Sequence, residues 1–218
     1  MPKFPGPPTR GQLAARLPPD LRILPRGTVL WRIYYRGGAH PAAWDRFRHW
    51  GPAPNVRFDH HSTPARQQAR GILYGGLRVY TCFAEAFQET RTIDRSRNRP
   101  WLAGFELARN VSLLDLTGTW PTKAGASMAI NSGRRDRARA WSQRVYEDYP
   151  AAEGLYYPSS MDANQPSVAL YERAQDAIPS RPLFDRALAD PALNGAVVKA
   201  ALLFNYGVDP LRILPWMA

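Results

Sequence analysis

The apolar residues of this chain come in short runs whose spacing changes from one run to the next, and that ordering excludes most simple architectures. Residues 28–35 (TVLWRIYY) are β-branched and aromatic and predict a strand. Residues 71–79 (GILYGGLRV) predict a second one, interrupted by Gly75 and Gly76. A helix is expected over about 82–91, with Thr81 as its N-cap. Strands follow at 101–107 and 111–116, then an amphipathic helix at 136–149 whose apolar positions include Ala140, Val145 and Tyr149. Short strands at 154–157 and 168–171 flank a polar loop, and 183–204 contains helix. The stretch 37–56, rich in Gly, Pro and Trp, reads as loop with a short helical turn near 42–49. Strands and helices mix without strict β–α–β alternation, which predicts an α+β fold rather than a doubly wound sheet.

Residues 1–27 carry prolines at 2, 5, 7, 8, 18, 19 and 25. So many missing N–H donors forbid a long helix or a central strand there. An arm lying over a single domain of residues 28–218 is expected, since 218 residues suffice for one buried core. The pentad LRILP occurs at 21–25 and again at 211–215, too little for a repeat architecture. No run approaches the ~20 apolar residues of a membrane span, and the N-terminus has no signal-peptide core. A cytoplasmic protein is the expectation. One cysteine, Cys82, excludes an intrachain disulfide framework and a cysteine-based metal site. His40, His49, His60 and His61 show no HExxH spacing, so no metal is expected. The net charge is +11, and lysine occurs only at 3, 123 and 199, so the positive charge is almost all arginine. Arginine forks suit phosphates and carboxylates. A charge of this size attracts nucleic acid, an anionic protein or a phosphate-bearing small molecule without choosing among them.

No P-loop, no GxGxxG after a strand and no GxSxG elbow is present. What stands out is a set of polar residues planted in apolar surroundings. Arg32 sits inside VLWRIYY, either facing solvent or meeting an anion, because a buried guanidinium is otherwise unfavourable. Arg57 follows a Pro-rich loop and stands two residues from Asp59, with which it could pair. Tyr74 lies in the apolar run ILY, where a core tyrosine is the ordinary reading. Glu85 is the most informative. Surrounded by Phe83, Ala84, Ala86 and Phe87, its carboxylate is either paired or functional.

Six pieces occur in a fixed order: Trp31-Arg32, Arg57-Phe58, Ile72-Leu73-Tyr74, Cys82-Phe83-Ala84-Glu85-Ala86, Leu114-Asp115-Leu116 and Gly154-Leu155-Tyr156-Tyr157-Pro158-Ser159. This series, over roughly residues 28–180, resembles the RES-domain family, named for an arginine, a glutamate and a serine. The usual Gly-Gly-Arg-Trp reads Asn55-Val56-Arg57-Phe58 here, so that loop lacks its glycines.

The resemblance implies a fold like that of the ADP-ribosyltransferases, a mixed or antiparallel sheet flanked by helices, with NAD in a cleft between sheet and helix. It implies cleavage of the nicotinamide–ribose bond by the toxin of a toxin–antitoxin pair, with a cognate antitoxin covering the cleft. NAD is then a substrate and not a cofactor, and water or inorganic phosphate is the acceptor. Glu85 would stabilise the oxocarbenium-like ribose, with Arg32 catalytic beside it. Arg32 and Arg57 would grip the pyrophosphate or a phosphate co-substrate, and Tyr74 would pack against nicotinamide or ribose. Ser132, ahead of the arginine-rich helix, is favoured slightly as the family serine over Ser127 and Ser159, and Ser159 is kept as a substrate-binding candidate. Three other readings stay open: a basic nucleic-acid-binding module, a catalytically silent RES-fold interaction module, and a transferase that moves ADP-ribose onto a protein. Nucleic acid is otherwise expected only through the antitoxin complex, and a homo-oligomer is left open.

Overall fold

The computed structural model describes residues 4–209, so the second LRILP copy lies outside the described residues. Among the described residues eleven strands and five α-helices make an α+β fold built on one large mixed sheet. In chain order the strands are β1 Leu21–Leu24, β2 Val29–Tyr35, β3 Arg48–Gly51, β4 Arg66–Gly76, β5 Thr92–Asp94, β6 Pro100–Glu106, β7 Val111–Asp115, β8 Gly154–Pro158, β9 Pro166–Tyr171, β10 Phe184–Ala187 and β11 Gly207–Asp209. The helices are α1 Gln12–Arg16, α2 Val79–Ala86, α3 Trp120–Lys123, α4 Arg135–Asp148 and α5 Asn194–Phe204.

The large sheet runs β1-β7-β8-β9-β4-β2-β6-β10, with β3 also on β4. Its pairs are antiparallel except β7 with β8. β5 and β11 form a separate parallel pair. Successive residues of β4 bury on opposite faces, as strand geometry demands: Ile72 packs with Trp141, Val145 and Tyr171, and Leu73 with Leu30, Phe105 and Leu170. A third apolar cluster joins Phe83 and Phe87 to Leu102 of β6 and to Val197 and Ala200 of α5.

The feature that positions the site is a split in this sheet. β2 and β4 are joined at a single residue pair, Trp31 opposite Gly76. Beyond it β2 follows β6 for seven pairs and β4 follows β9 for five. Gly104 of β6 lies opposite Trp31, and a Cβ there would meet the indole ring at 2.6 Å, so the glycine makes room for the tryptophan at the join.

Several boundaries differ from expectation. α2 begins at Val79 and ends at Ala86, so Thr81 lies inside it; the threonine hydroxyl instead donates to Asp162 Oδ2 at 2.6 Å. The stretch 37–56 is not all loop, because Arg48–Gly51 pairs with β4. β4 starts at Arg66, five residues before the apolar run, because pairing continues past the point where burial stops. His60 and His61 are both buried, which is feasible because neither lies on a strand.

The proline-rich segment packs along α4. Arg137, Trp141 and Arg144 donate to the carbonyls of Phe4, Pro5 and Pro8. Asp148 accepts from the N–H groups of Gly11 and Leu13. β1 then closes one edge of the sheet against β7.

Candidate active site

A cleft of about 370 Å³ opens where β2 and β4 part, walled by both strands, α2, the loop before α4 and the 55–57 loop. Arg32, Arg57, Tyr74 and Glu85 all line it. Four residues spread over more than fifty positions of sequence are thereby brought to one place.

Glu85 projects from α2, whose other side packs Phe83 and Ala84 into the core. Its Oε1 accepts the Ser159 hydroxyl at 2.5 Å, and its Oε2 has a long contact of 3.4 Å to Gln88 Nε2. Ser159 is fully buried just after β8, where its Oγ also accepts from the backbone N–H groups of Met161 and Asp162 at 3.1 and 3.2 Å. Those two donors occupy the oxygen's lone pairs, so the hydroxyl proton is directed at Glu85. Burial pushes the Glu85 pKa above its ordinary value, while the Ser159 hydroxyl and then the Arg57 charge pull against that rise.

Arg57 does not pair with Asp59. Its Nη1 donates to the carbonyls of Gly133 at 2.7 Å and Ile130 at 3.4 Å, and Asp59 is taken by Arg48 and His61. Tyr74 donates to the Arg57 carbonyl at 2.8 Å, tying the loop to β4. Between Arg57 and Asp59, Phe58 adopts φ +62, a conformation rare for a bulky residue, with its ring buried against Tyr157. Burial and then the nearby Arg135 charge lower the Arg57 pKa, and both guanidinium groups line the cleft together with that of Arg32. Arg135, at the start of α4, reaches Gln88 Oε1 at 3.2 Å and Glu89 Oε1 at 3.5 Å.

Arg32 donates to the carbonyls of Trp44 and Arg46 at 3.0 and 3.4 Å, and its shielded Nε has no partner among the described residues. Burial lowers its pKa to about 10, so it stays charged at neutral pH, with no carboxylate in contact among the described residues. Beyond Arg32, Ile33 and Tyr74 the cleft adjoins a wider groove lined by Arg36, Arg46, Arg48 and Arg99. Cys82 also lines the cleft, but its thiol donates to the Trp31 carbonyl and burial pushes its pKa to about 12, which keeps it protonated.

The serines separate clearly. Neither Ser159 nor Ser132 lines the cleft, but Ser159 touches Glu85 from behind its wall; Ser132 is exposed in the loop before α4, and Ser127 caps a short 3₁₀ turn by accepting from Ala129. Sequence reasoning did not single out Asn131, Arg135 or Tyr157, which also line the cleft. Asn131 and Arg135 lie within three residues of the candidate Ser132, and Tyr157 lies two residues before Ser159. Among the described residues no group of three or more His, Cys, Asp or Glu is arranged to hold a metal, and no helix is long and apolar enough to cross a membrane.

The cleft at the split of the sheet thus gathers Glu85, tied to the buried Ser159, with Arg32, Arg57 and Arg135. A family model described as the RES domain matches residues 29–189, and the chain belongs to that family. No curated protein matches the chain. Among solved structures, a chain of the M. tuberculosis MbcT–MbcA toxin–antitoxin complex is similar in fold, with a TM-score of 0.53 at 14% identity, over 85% of this chain and 94% of that one.

Proposed function

We propose that this chain is the toxin of a toxin–antitoxin pair and that it degrades NAD by breaking the bond between nicotinamide and ribose. The observation that carries the reading is the Ser159-anchored carboxylate of Glu85 in a cleft walled by arginines. Nicotinamide leaves with the bonding electron pair, and positive charge develops on the ribose at C1′. Glu85, with Oε1 fixed by Ser159 and Oε2 held only by a long contact, supplies a negative charge to stabilise and orient that ribose. Arg32, Arg57 and Arg135 hold the phosphates, and Tyr74 packs against nicotinamide or ribose. The acceptor's oxygen then bonds C1′: water loses a proton, for which Glu85 is the adjacent base, whereas a phosphate dianion needs none.

The toxin reading draws on family membership and on the fold shared with a chain of a toxin–antitoxin complex. An antitoxin covering the arginine-lined cleft is part of it, as is action on the cytoplasmic NAD pool. Ser159 takes the serine's role, because it contacts the carboxylate and Ser132 does not.

The test is to incubate purified chain with NAD, with and without phosphate, and follow nicotinamide by chromatography. Release is expected from wild type and should fall by roughly 10²–10³-fold in Glu85→Ala, the scale of losing one stabilising group at a developing charge. Arg32→Ala should fall similarly, with the fold of both variants checked by circular dichroism. Phosphate-dependent formation of a sugar phosphate marks phosphorolysis. Wild-type protein that leaves NAD intact in both conditions sinks the reading.

A further inference from the structure

The split between β2 and β4 continues past the cleft. From the join at Trp31 and Gly76, β2 runs through Arg32 and Ile33 towards Arg36, and β4 runs back through Tyr74 to Ile72. Gly75 and Gly76 line only the cleft, Arg32, Ile33 and Tyr74 line both cavities, and Arg36 and Ile72 line only the groove of about 1120 Å³. Glu85 belongs to the joined end. Cys82, one turn before it on α2, donates its thiol to the Trp31 carbonyl, and a Cβ on Gly76 would meet the same sulfur at 3.1 Å. The joined end is filled by that contact, whereas the other end opens into the groove. Extended chain from Trp31 to Arg36 spans about 17 Å, so a substrate whose ribose meets Glu85 leads along the split towards the groove.

The groove is charged in a way that a neutral nucleoside does not need. Six arginines line it and, among the described residues, no carboxylate does. Asp185 and Asp59 answer Arg36 and Arg48. No hydrogen bond or ion pair engages the exposed Arg46 side chain among the described residues, and the exposed Arg99 donates only to the Arg36 carbonyl, at 2.8 Å. Trp101, the largest ring of the groove, carries the Arg36 guanidinium 3.4 Å from its centroid, so that face is closed to a base. NAD brings its negative charge on the pyrophosphate, for which Arg32, Arg57 and Arg135 already stand in the cleft. Its adenosine end is uncharged and leaves Arg46 and Arg99 unanswered.

We infer that the groove is a binding site for a phosphate monoester on the adenosine half of the substrate, held by Arg46 and Arg99, so that the chain selects the 2′-phosphorylated dinucleotide, NADP, over NAD. This rests on the NAD-cleaving reading and names its substrate more closely. Near neutral pH a phosphate monoester carries close to two negative charges and three acceptor oxygens. Guanidinium forks bond it through short, charge-assisted hydrogen bonds. The bond broken and the leaving nicotinamide are the same in both dinucleotides, so the preference reports on the groove and not on the chemistry at Glu85.

The experiment compares kcat/KM on NADP and on NAD for wild type and for two double variants of the groove, Arg46→Ala with Arg99→Ala and Arg46→Gln with Arg99→Gln. A control removes two exposed arginines outside both cavities, Arg10→Ala with Arg181→Ala. Wild type should prefer NADP by at least about tenfold and the groove variants by less than about threefold, the scale of one or two hydrogen bonds to a charged group. The control should keep the wild-type ratio. Equal use of the two dinucleotides by wild type, or a preference for NAD, overturns the inference. So does a ratio that survives in the groove variants, or one that falls as far in the control and so follows net charge alone. If the alanine variant does not fold, the glutamine variant and the wild-type ratio decide. Calorimetric binding of adenosine 2′,5′-bisphosphate against AMP separates the two levels. Wild type that binds the bisphosphate selectively but cleaves neither dinucleotide keeps the groove and removes the enzymatic reading, whereas cleavage of NAD with no gain from the extra phosphate does the reverse.

Discussion

Ser159 accepts two backbone N–H groups and is left with one proton to give, and Glu85 receives it. The pair therefore works as a positioned carboxylate. Burial raises the Glu85 pKa, and the serine hydroxyl is the largest opposing influence. The reacting form is the anion, so activity rises with pH as Glu85 loses its proton, and the acid limb of kcat/KM should lie above the ordinary value of 4.5. In Ser159→Ala the stabilisation of the anion is lost, the pKa climbs further, and the limb moves to higher pH. The plateau should also fall by roughly ten- to a hundredfold, as for one lost hydrogen bond to a charged group. A profile of kcat/KM against pH for both proteins checks this, and a limb that stays put or moves down argues against the pairing. Glu85 was legible in the sequence because a lone carboxylate among Phe and Ala is conspicuous. Its serine was not, since the contact joins positions 74 residues apart and every serine in a turn looks alike locally.

At the scale of elements, the site exists because two strands part after one shared pair. The runs that became β2 and β7 and the helix α4 were readable, because burial of a face or of both faces leaves a periodic or continuous apolar signature. β3, β5, β10 and β11 were not; each has only three or four residues, and all four carry a charged side chain within that length. Nor could any local pattern announce the split, which depends on where β4 leaves β2 for β9. Gly104 makes the join testable. Adding a Cβ would press on Trp31 ring atoms at 2.6–2.9 Å, and the tryptophan precedes Arg32 and carries the carbonyl that Cys82 contacts. Gly104→Ala should lose about 1–3 kcal/mol in denaturant unfolding, the range for overpacking a tight site, and should lose NAD turnover with it. Gly195→Ala in α5 meets nothing within 4 Å and serves as the control, with stability unchanged or slightly raised.

The whole molecule raises the question of where the folded unit begins. The family match starts at residue 29, yet the segment before it is fastened by a physical logic of its own. Prolines contribute carbonyl acceptors without N–H donors, so a proline-rich stretch needs donors from elsewhere. α4 supplies them from one face: Arg137, Trp141 and Arg144 stand at helical spacing and reach Phe4, Pro5 and Pro8, and Asp148 continues the row to the start of α1. Tyr149 and Trp120 add donors for the Leu17 and Pro18 carbonyls. Phe4 and Leu13 are buried in the same cluster as Trp141, and Leu24 of β1 is buried on β7's side of the sheet. Removing residues 1–27 would thus uncover three large apolar side-chain sites, each worth about 1.5–3 kcal/mol. It would also free the edge of β7, an invitation to strand pairing between molecules. The truncated chain should melt well below the full chain and aggregate as it does so, measured by calorimetry and light scattering side by side. Equal melting temperatures would mean that the arm only rests on the domain. α4 would be the element most affected, and because it begins with Arg135 at the cleft, any surviving fold should also bind substrate more weakly.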